Sequence, residues 1–224
     1  MNLNSYVDKK TLNLVFSEQI ASILNQAIKK KNEAFLIVSG GKTPLDLFKN
    51  LSKIDVDWSK VTISLADERI VDVKSPESNE FGVKSCLIQE KAAAANFISL
   101  RPQSIGSLKN IEKTLASIPD FDALILGMGD DGHTASLFPC CPELATALSD
   151  NHKAAVMLTN PTNAPYRRVS MTKKRLSHSL NTFVHITGER KKQVLREALT
   201  ACDPLRMPIC AFLNQPGLQV MYAP

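Results

Sequence analysis

The sequence predicts one α/β domain built on a mainly parallel β-sheet flanked by helices, and three observations predict it. Short continuous apolar runs recur along the chain, Ala34-Phe35-Leu36-Ile37-Val38 being the clearest, and this is the pattern of strands buried on both faces. Stretches with apolar residues at helical spacing alternate with these runs. Polar or glycine-rich residues follow several of the runs at once, which is where open parallel sheets gather their ligands, at the carboxyl ends of the strands.

In chain order, Leu14, Ile20, Ala21, Leu24, Ala27 and Ile28 predict a helix over about 10–30. It ends in Lys29-Lys30-Lys31, where positive charge suits the C-terminal dipole and a solvated helix end is expected. A strand over 34–38 follows and runs into Ser39-Gly40-Gly41-Lys42-Thr43-Pro44. Thr43 fits an N-cap, Pro44 a first helical position and Asp46 the third, an Asp variant of the capping box, so a second helix is expected to start there. Residues 61–66 and 121–126 repeat the pattern of an apolar strand entering polar or glycine-rich residues, and 154–158 and 182–186 read as two further strands. Helices are expected near 78–89, 106–118 and 189–200. With no repeat, low-complexity tract or linker, residues 1–224 read as one domain.

A chain of 224 residues can bury a sizeable core without disulfides or metal. Hydrophobic residues at 44% and charged residues at 22% exclude disordered, collagenous and coiled-coil classes. The net charge of +5 suits an anionic ligand, but it is small for a nucleic-acid binder, and no aromatic ladder offers a stacking platform. Five cysteines, an odd number without a C-x-x-C, imply reduced thiols in a cytoplasmic protein and no zinc site. No run approaches the roughly 18 apolar residues of a membrane span, so neither a membrane nor a nucleic-acid partner is expected.

Two loops carry the chemistry. Around 39–43, exposed backbone N–H groups beside Ser39, Lys42 and Thr43 would cradle a phosphate, although a merely structural strand-to-helix turn needs the same residues. The Walker A pattern fails here because Leu36 stands at its first glycine, and a nucleophile elbow around Ser39 fails at Ile37. Gly127-Met128-Gly129-Asp130-Asp131-Gly132-His133 formally contains G-x-G-x-x-G after a strand. Asp130 and Asp131 would set negative charge against a pyrophosphate, and no strand ending in an acidic residue follows about 20 residues later. What remains is a histidine beside two carboxylates, the composition of a general base oriented by an acid. Asp67-Glu68-Arg69 adds a third polar cluster at the same sheet edge, readable equally as a surface salt-bridge patch. Arg167, Arg168 and Lys191 are further candidates for a phosphate dianion.

These stretches, together with Ser78-Asn79, Thr134-Ala135-Ser136-Leu137-Phe138-Pro139, Ala164-Pro165, Arg168-Val169-Ser170 and Gly188 with Lys191, resemble the 6-phosphogluconolactonases, within the larger family that also holds the glucosamine-6-phosphate deaminases. The resemblance spans most of the chain and implies a Rossmann-like fold of the deaminase/lactonase type. It also implies hydrolysis of 6-phospho-D-glucono-1,5-lactone in the pentose phosphate pathway without a cofactor. Ser39, Gly40, Gly41, Lys42 and Thr43 would then hold the 6-phosphate with Arg168 and Lys191, while Asp67 and Asn79 join the substrate-binding set. His133 would activate water, oriented by Asp131, with Arg69 beside the developing oxyanion. The chain departs from the family at Cys140, where Gly is usual, at Tyr166-Arg167, which replaces a more proline-rich run, and at its ending, which lacks Trp-x-Asp. Deaminase relatives have Glu where this chain has Phe138, which disfavours a deaminase/isomerase. A non-catalytic sugar-phosphate sensor is the other alternative, and no output module is visible.

Overall fold

The structure, a computed structural model, describes residues 1–102 and 107–224. Its elements in order are β1 (Asn2–Ser5), α1 (Lys9–Lys31), β2 (Ala34–Val38), α2 (Leu45–Leu51), β3 (Val61–Leu65), β4 (Asp67–Arg69), α3 (Asn79–Cys86), β5 (Asn96–Ile98), α4 (Ser107–Ser117) and β6 (Ala123–Leu126). The second half contains α5 (Leu144–Leu148), β7 (Val156–Thr159), β8 (Arg168–Met171), α6 (Lys173–Ser177), β9 (Thr182–Thr187), α7 (Glu189–Ala201), α8 (Cys210–Leu213) and β10 (Gln219–Ala223). The start of the helix expected near 106 lies outside the described residues.

Seven strands form one sheet in the order β1-β10-β9-β6-β2-β3-β5, and every pairing in it is parallel. The order steps outward from β2 through β3 to β5 and from β6 through β9 to β10, so the chain reverses direction between β2 and β6. A crevice opens at such a reversal, outside the carboxyl ends of the two strands. The expected mainly parallel α/β fold is what forms. The strand expected at 154–158 does not join this sheet. It is β7 of a separate antiparallel sheet, β4-β8-β7, in which Asp67 pairs with Ser170 and Arg69 with Arg168. No helix among the described residues is long and apolar enough to cross a membrane.

Local chemistry explains most of the boundaries. Asp8 caps α1 by accepting from the Thr11 N–H at 2.7 Å, and Asn32 closes the helix in the left-handed conformation (φ 62°). The buried stripe of α1 is Leu12, Phe16, Ile20 and Leu24, spaced by four, whereas Leu14 points to solvent at 52% exposure. The lysine run is not simply solvated, because Lys31 reaches Asp122 at 3.0 Å and lies over the Phe35 ring. The capping box expected at 43–46 is absent. Pro44 occupies the cap position without a side-chain hydrogen bond, α2 starts at Leu45, and Asp46 pairs with Lys49 at 3.3 Å. With no N–H of its own, Pro44 leaves one helix-start donor fewer to satisfy.

His185 sits in the middle of β9, 3% exposed, with its ring edge-on to Phe16 and both ring nitrogens without a partner among the described residues. Burial pushes its pKa down to about 4. The folded ring is neutral, while the unfolded one takes up a proton below about pH 6.5, so its contribution to stability is complete above that pH and drains away as pH falls toward 4. We expect urea melts of the parent to lose about 3 kcal/mol more than those of His185→Phe between pH 7 and pH 4. Identical pH profiles for the two proteins would contradict this.

Candidate active site

At the crevice, the Ser39 N–H donates to the Ile125 carbonyl at 2.8 Å, tying the end of β2 to the end of β6. A cavity of about 260 Å³ opens there, near the lower end of the usual range of about 300–1,000 Å³ for small-molecule sites. Its walls come from the turn after β2, from β4, from the start of α3, from the loop after β6, from β8, and from the junction of β9 with α7. Ser39, Gly40, Gly41, Thr43, Asp67, Arg69, Asn79, His133, Arg168 and Lys191 all line it, although up to about 150 residues separate them in sequence. Lys42 does not line it: the side chain is exposed on the outside of the turn. Asp131 is also outside the lining but bonds directly to His133.

The loop after β6 is fastened by its own backbone, by a side chain within it and by the segment before α8. Gly129 N–H donates to the His133 carbonyl at 2.8 Å, Ile209 N–H to the Gly132 carbonyl at 2.9 Å, and the Thr134 hydroxyl to the Gly127 carbonyl at 2.8 Å. Helix α5 begins only at Leu144, so the G-x-G-x-x-G run lacks the helix that would receive a pyrophosphate. Gly129 is required because the His133–Asp131 pair lies against it: a Cβ there would stand 2.0 Å from His133 Nδ1 and 2.6 Å from Asp131 Oδ1. Gly40 is required likewise, because its Cβ would stand 2.1 Å from Asn79 Oδ1.

His133 Nδ1 lies 2.6 Å from Asp131 Oδ1, and the same oxygen accepts the His133 backbone N–H at 3.1 Å. Partial burial works against the Asp131 charge, but the hydrogen bond and charge of the His133 ring, with the backbone N–H, outweigh it and hold this carboxyl below its ordinary value. An ionised Asp131 accepts a hydrogen bond from Nδ1–H, which favours the tautomer that leaves Nε2 with a free lone pair. The imidazole stacks on Phe138, centroids 3.8 Å apart, and the Arg168 guanidinium lies 4.8 Å from the same ring. Phe138 thus fixes the plane of His133 and the position of Arg168 together.

Besides the His185 ring, which also lines the cavity, Ser39 Oγ, Arg69 Nε and Arg168 Nε lack a partner among the described residues, each buried at the atom. Burial pushes the Arg168 guanidinium below its ordinary value, and the Asp67 charge counteracts this. Arg69 is held by Glu77, Nη1 donating to Oε2 at 2.6 Å and to the Glu77 carbonyl at 3.0 Å. Lys191 is fixed at the rim by Asp130 at 2.8 Å. Unlike its neighbours, Glu68 turns away from the cavity. Its carboxylate accepts from the Arg69, Asn79 and Glu80 N–H groups and from Ser78 Oγ, and so secures the start of α3. Burial pushes its pKa up against those four donors.

Sequence reasoning did not single out Ser136 or Glu77. Ser136 is fully buried and donates to Asp67 Oδ2 at 2.5 Å, with Arg168 Nη1 at 3.5 Å from its hydroxyl, so it joins two walls of the cavity. Its only sequence signal is its place in the run from Gly127 to Pro139. Glu77 has none, since an acidic residue in a polar loop usually marks nothing. Cys140 and Cys141 follow the Phe138-Pro139 pair in sequence and do not line the cavity, and burial pushes the Cys141 thiol up to about 11.

The family model described as glucosamine-6-phosphate isomerases/6-phosphogluconolactonase matches residues 7–221. A 6-phosphogluconolactonase of Pseudomonas putida is 37% identical, with all of this chain and 93% of that protein covered. One of Helicobacter pylori is 35% identical, covering 99% of this chain and 97% of that protein. The crystal structure of a 6-phosphogluconolactonase from Shewanella baltica superposes with a TM-score of 0.94 at 38% identity, covering 100% of this chain and 97% of that one. A monomeric glucosamine-6-phosphate deaminase superposes with a TM-score of 0.80 at 17% identity, a likeness of fold alone.

Proposed function

Because this chain belongs to the glucosamine-6-phosphate isomerase/6-phosphogluconolactonase family, we propose that it hydrolyses 6-phospho-D-glucono-1,5-lactone to 6-phospho-D-gluconate in the oxidative pentose phosphate pathway, with His133 as general base. The observation that carries this reading is the arrangement within one cavity. An imidazole already bonded to a carboxylate shares that cavity with buried serine and arginine donors that lack an acceptor.

Water attacks C1 of the lactone while His133 Nε2 takes its proton, and the resulting imidazolium is stabilised by Asp131. Arg69 offsets the charge that develops on the carbonyl oxygen, the role its fixed position beside Asp67 and Asn79 suits. The tetrahedral centre then collapses. The C1–O5 bond breaks, O5 takes the proton from His133, and the product carboxylic acid ionises in solution. Ser39, the 40–41 backbone and Arg168 bind the 6-phosphate, with Lys191 at the rim. The reaction is cytoplasmic in this reading, where the five unbridged thiols stay reduced.

The deaminase alternative finds no support at Phe138, whose ring packs on His133 and carries no acid or base. The purified protein should therefore accelerate lactone hydrolysis above the spontaneous rate, read as proton release or by a coupled 6-phosphogluconate assay. Lactone decay at the background rate, or ammonia release from glucosamine 6-phosphate at an enzymatic rate, would refute the proposal.

A further inference from the structure

A second cavity, of about 300 Å³, lies between the turn after α4, residues 153–155 ahead of β7, and α6. Residues 116–120 lead into the amino end of β6, whereas the catalytic cavity takes the carboxyl end of the same strand, so the two cavities open at opposite edges of the sheet. Arg175 forms part of its wall and is itself 8% exposed. Its Nε donates to the Leu115 carbonyl at 3.1 Å, and its Nη2 to the carbonyls of Ile118 and Pro119 at 3.1 and 3.0 Å. The guanidinium carbon lies 3.7 Å from the centre of the Phe121 ring.

These contacts orient the group without neutralising it. All three acceptors are uncharged carbonyls, no carboxylate lies within ion-pair distance, and Nη1 makes no hydrogen bond among the described residues. Burial pushes the Arg175 pKa down to about 10, and the charge of Asp120, too far for an ion pair, offsets this only in part. Lys153 and Lys174 line the same cavity, are exposed, and make no ion pair among the described residues. The one lining carboxylate, Asp120, is bonded to His178 at 3.1 Å. Ala116, Ile118, Pro119 and Ala154 supply an apolar side.

We infer that this cavity is a second anion site that takes a small phosphomonoester dianion. Its phosphate is held by Arg175 Nη1, Lys153 and Lys174, and its carbon skeleton lies against the Ala116–Pro119 side. Three cations converge on one opening, so a dianion matches them where a single carboxylate would leave the cluster under-compensated. A fixed, planar guanidinium with a spare N–H suits the tetrahedral oxygens of a phosphate. The inference is independent of the lactone reading, since none of these residues belongs to the catalytic cavity.

Equilibrium dialysis of the whole protein against radiolabelled inorganic phosphate tests it. The parent should bind two phosphates per chain. Lys153→Glu/Lys174→Glu, two changes at exposed positions, should weaken one of them at least tenfold and leave lactone hydrolysis unchanged. Glycerol 3-phosphate should compete at that site more strongly than phosphate itself, because it also covers the apolar side. Phosphate binding that the double variant leaves unaltered, whether the parent shows one site or two, would overturn the inference. Because Arg168→Ala should weaken only the other phosphate, by about tenfold to a hundredfold, failure at the catalytic cavity and failure here are read separately.

Discussion

Replacing His133 by alanine is expected to lower kcat by roughly 10²–10⁴-fold, the usual cost of losing a positioned general base. The imidazole bonded to Asp131 has one nitrogen committed to the carboxylate, which leaves Nε2 as the proton acceptor. His133 is 28% exposed at its side chain and rests on Phe138, so its removal opens no sealed cavity, and the variant should fold with an unchanged circular dichroism spectrum. KM should move little, because the groups assigned to the phosphate lie on other elements. The lactone also opens spontaneously in water, so rates must be corrected for that background. A folded variant with near-parental turnover would remove His133 from the mechanism.

Arg168→Ala is expected to weaken handling of the phosphorylated lactone by about tenfold to a hundredfold, the worth of one charge-assisted hydrogen bond at roughly 1.5–3 kcal/mol. The side chain is 6% exposed, and its Nε is buried without an acceptor among the described residues. Any slow activity on unphosphorylated gluconolactone should scarcely change, because the His133–Asp131 pair remains in place. A melting curve should accompany the kinetics, since Arg168 also covers the Phe138 ring and donates to the Pro165 carbonyl at 3.3 Å. Equal losses on both substrates would place Arg168 in the chemistry or the fold rather than in phosphate recognition.

The two predictions differ in how far the sequence alone supports them. His133 stands beside two carboxylates on a glycine-rich loop, so a paired histidine can be expected from the residue types, but only the structure shows that Asp131 rather than Asp130 bonds it. Arg168 is one basic residue among 27, and composition does not separate it from Arg167, which projects outward and bonds Asn160 at 3.0 Å. The start of β8 separates them: Arg167 is the exposed residue just before the strand, and Arg168 is its buried first residue. The same limit appears at Lys42, which sits in the right loop but on its outer side, and at Thr43, which sits where a cap is expected but does not cap. Local propensity identified the turn. The rotation of each side chain about it depended on what packs behind.

By itself, the sequence determined the order of the main strands and helices, the mainly parallel sheet, and the two loops that bear the site. Those features follow from short-range physics: apolar runs must be buried on both faces, helical stripes must cover them, and glycine must stand where the chain turns closely. Tertiary structure alone decided that 67–69 and 156–159 leave the main sheet for a second one, so that Arg69 pairs with Arg168 across β4 and β8. It also decided that Ser136 joins Asp67 to the neighbourhood of Arg168, that Glu77 holds Arg69, and that His185 is buried without a partner among the described residues. These depend on contacts between residues eight to about a hundred positions apart, whose free energy comes from shared burial and hydrogen bonding that no local window of sequence contains.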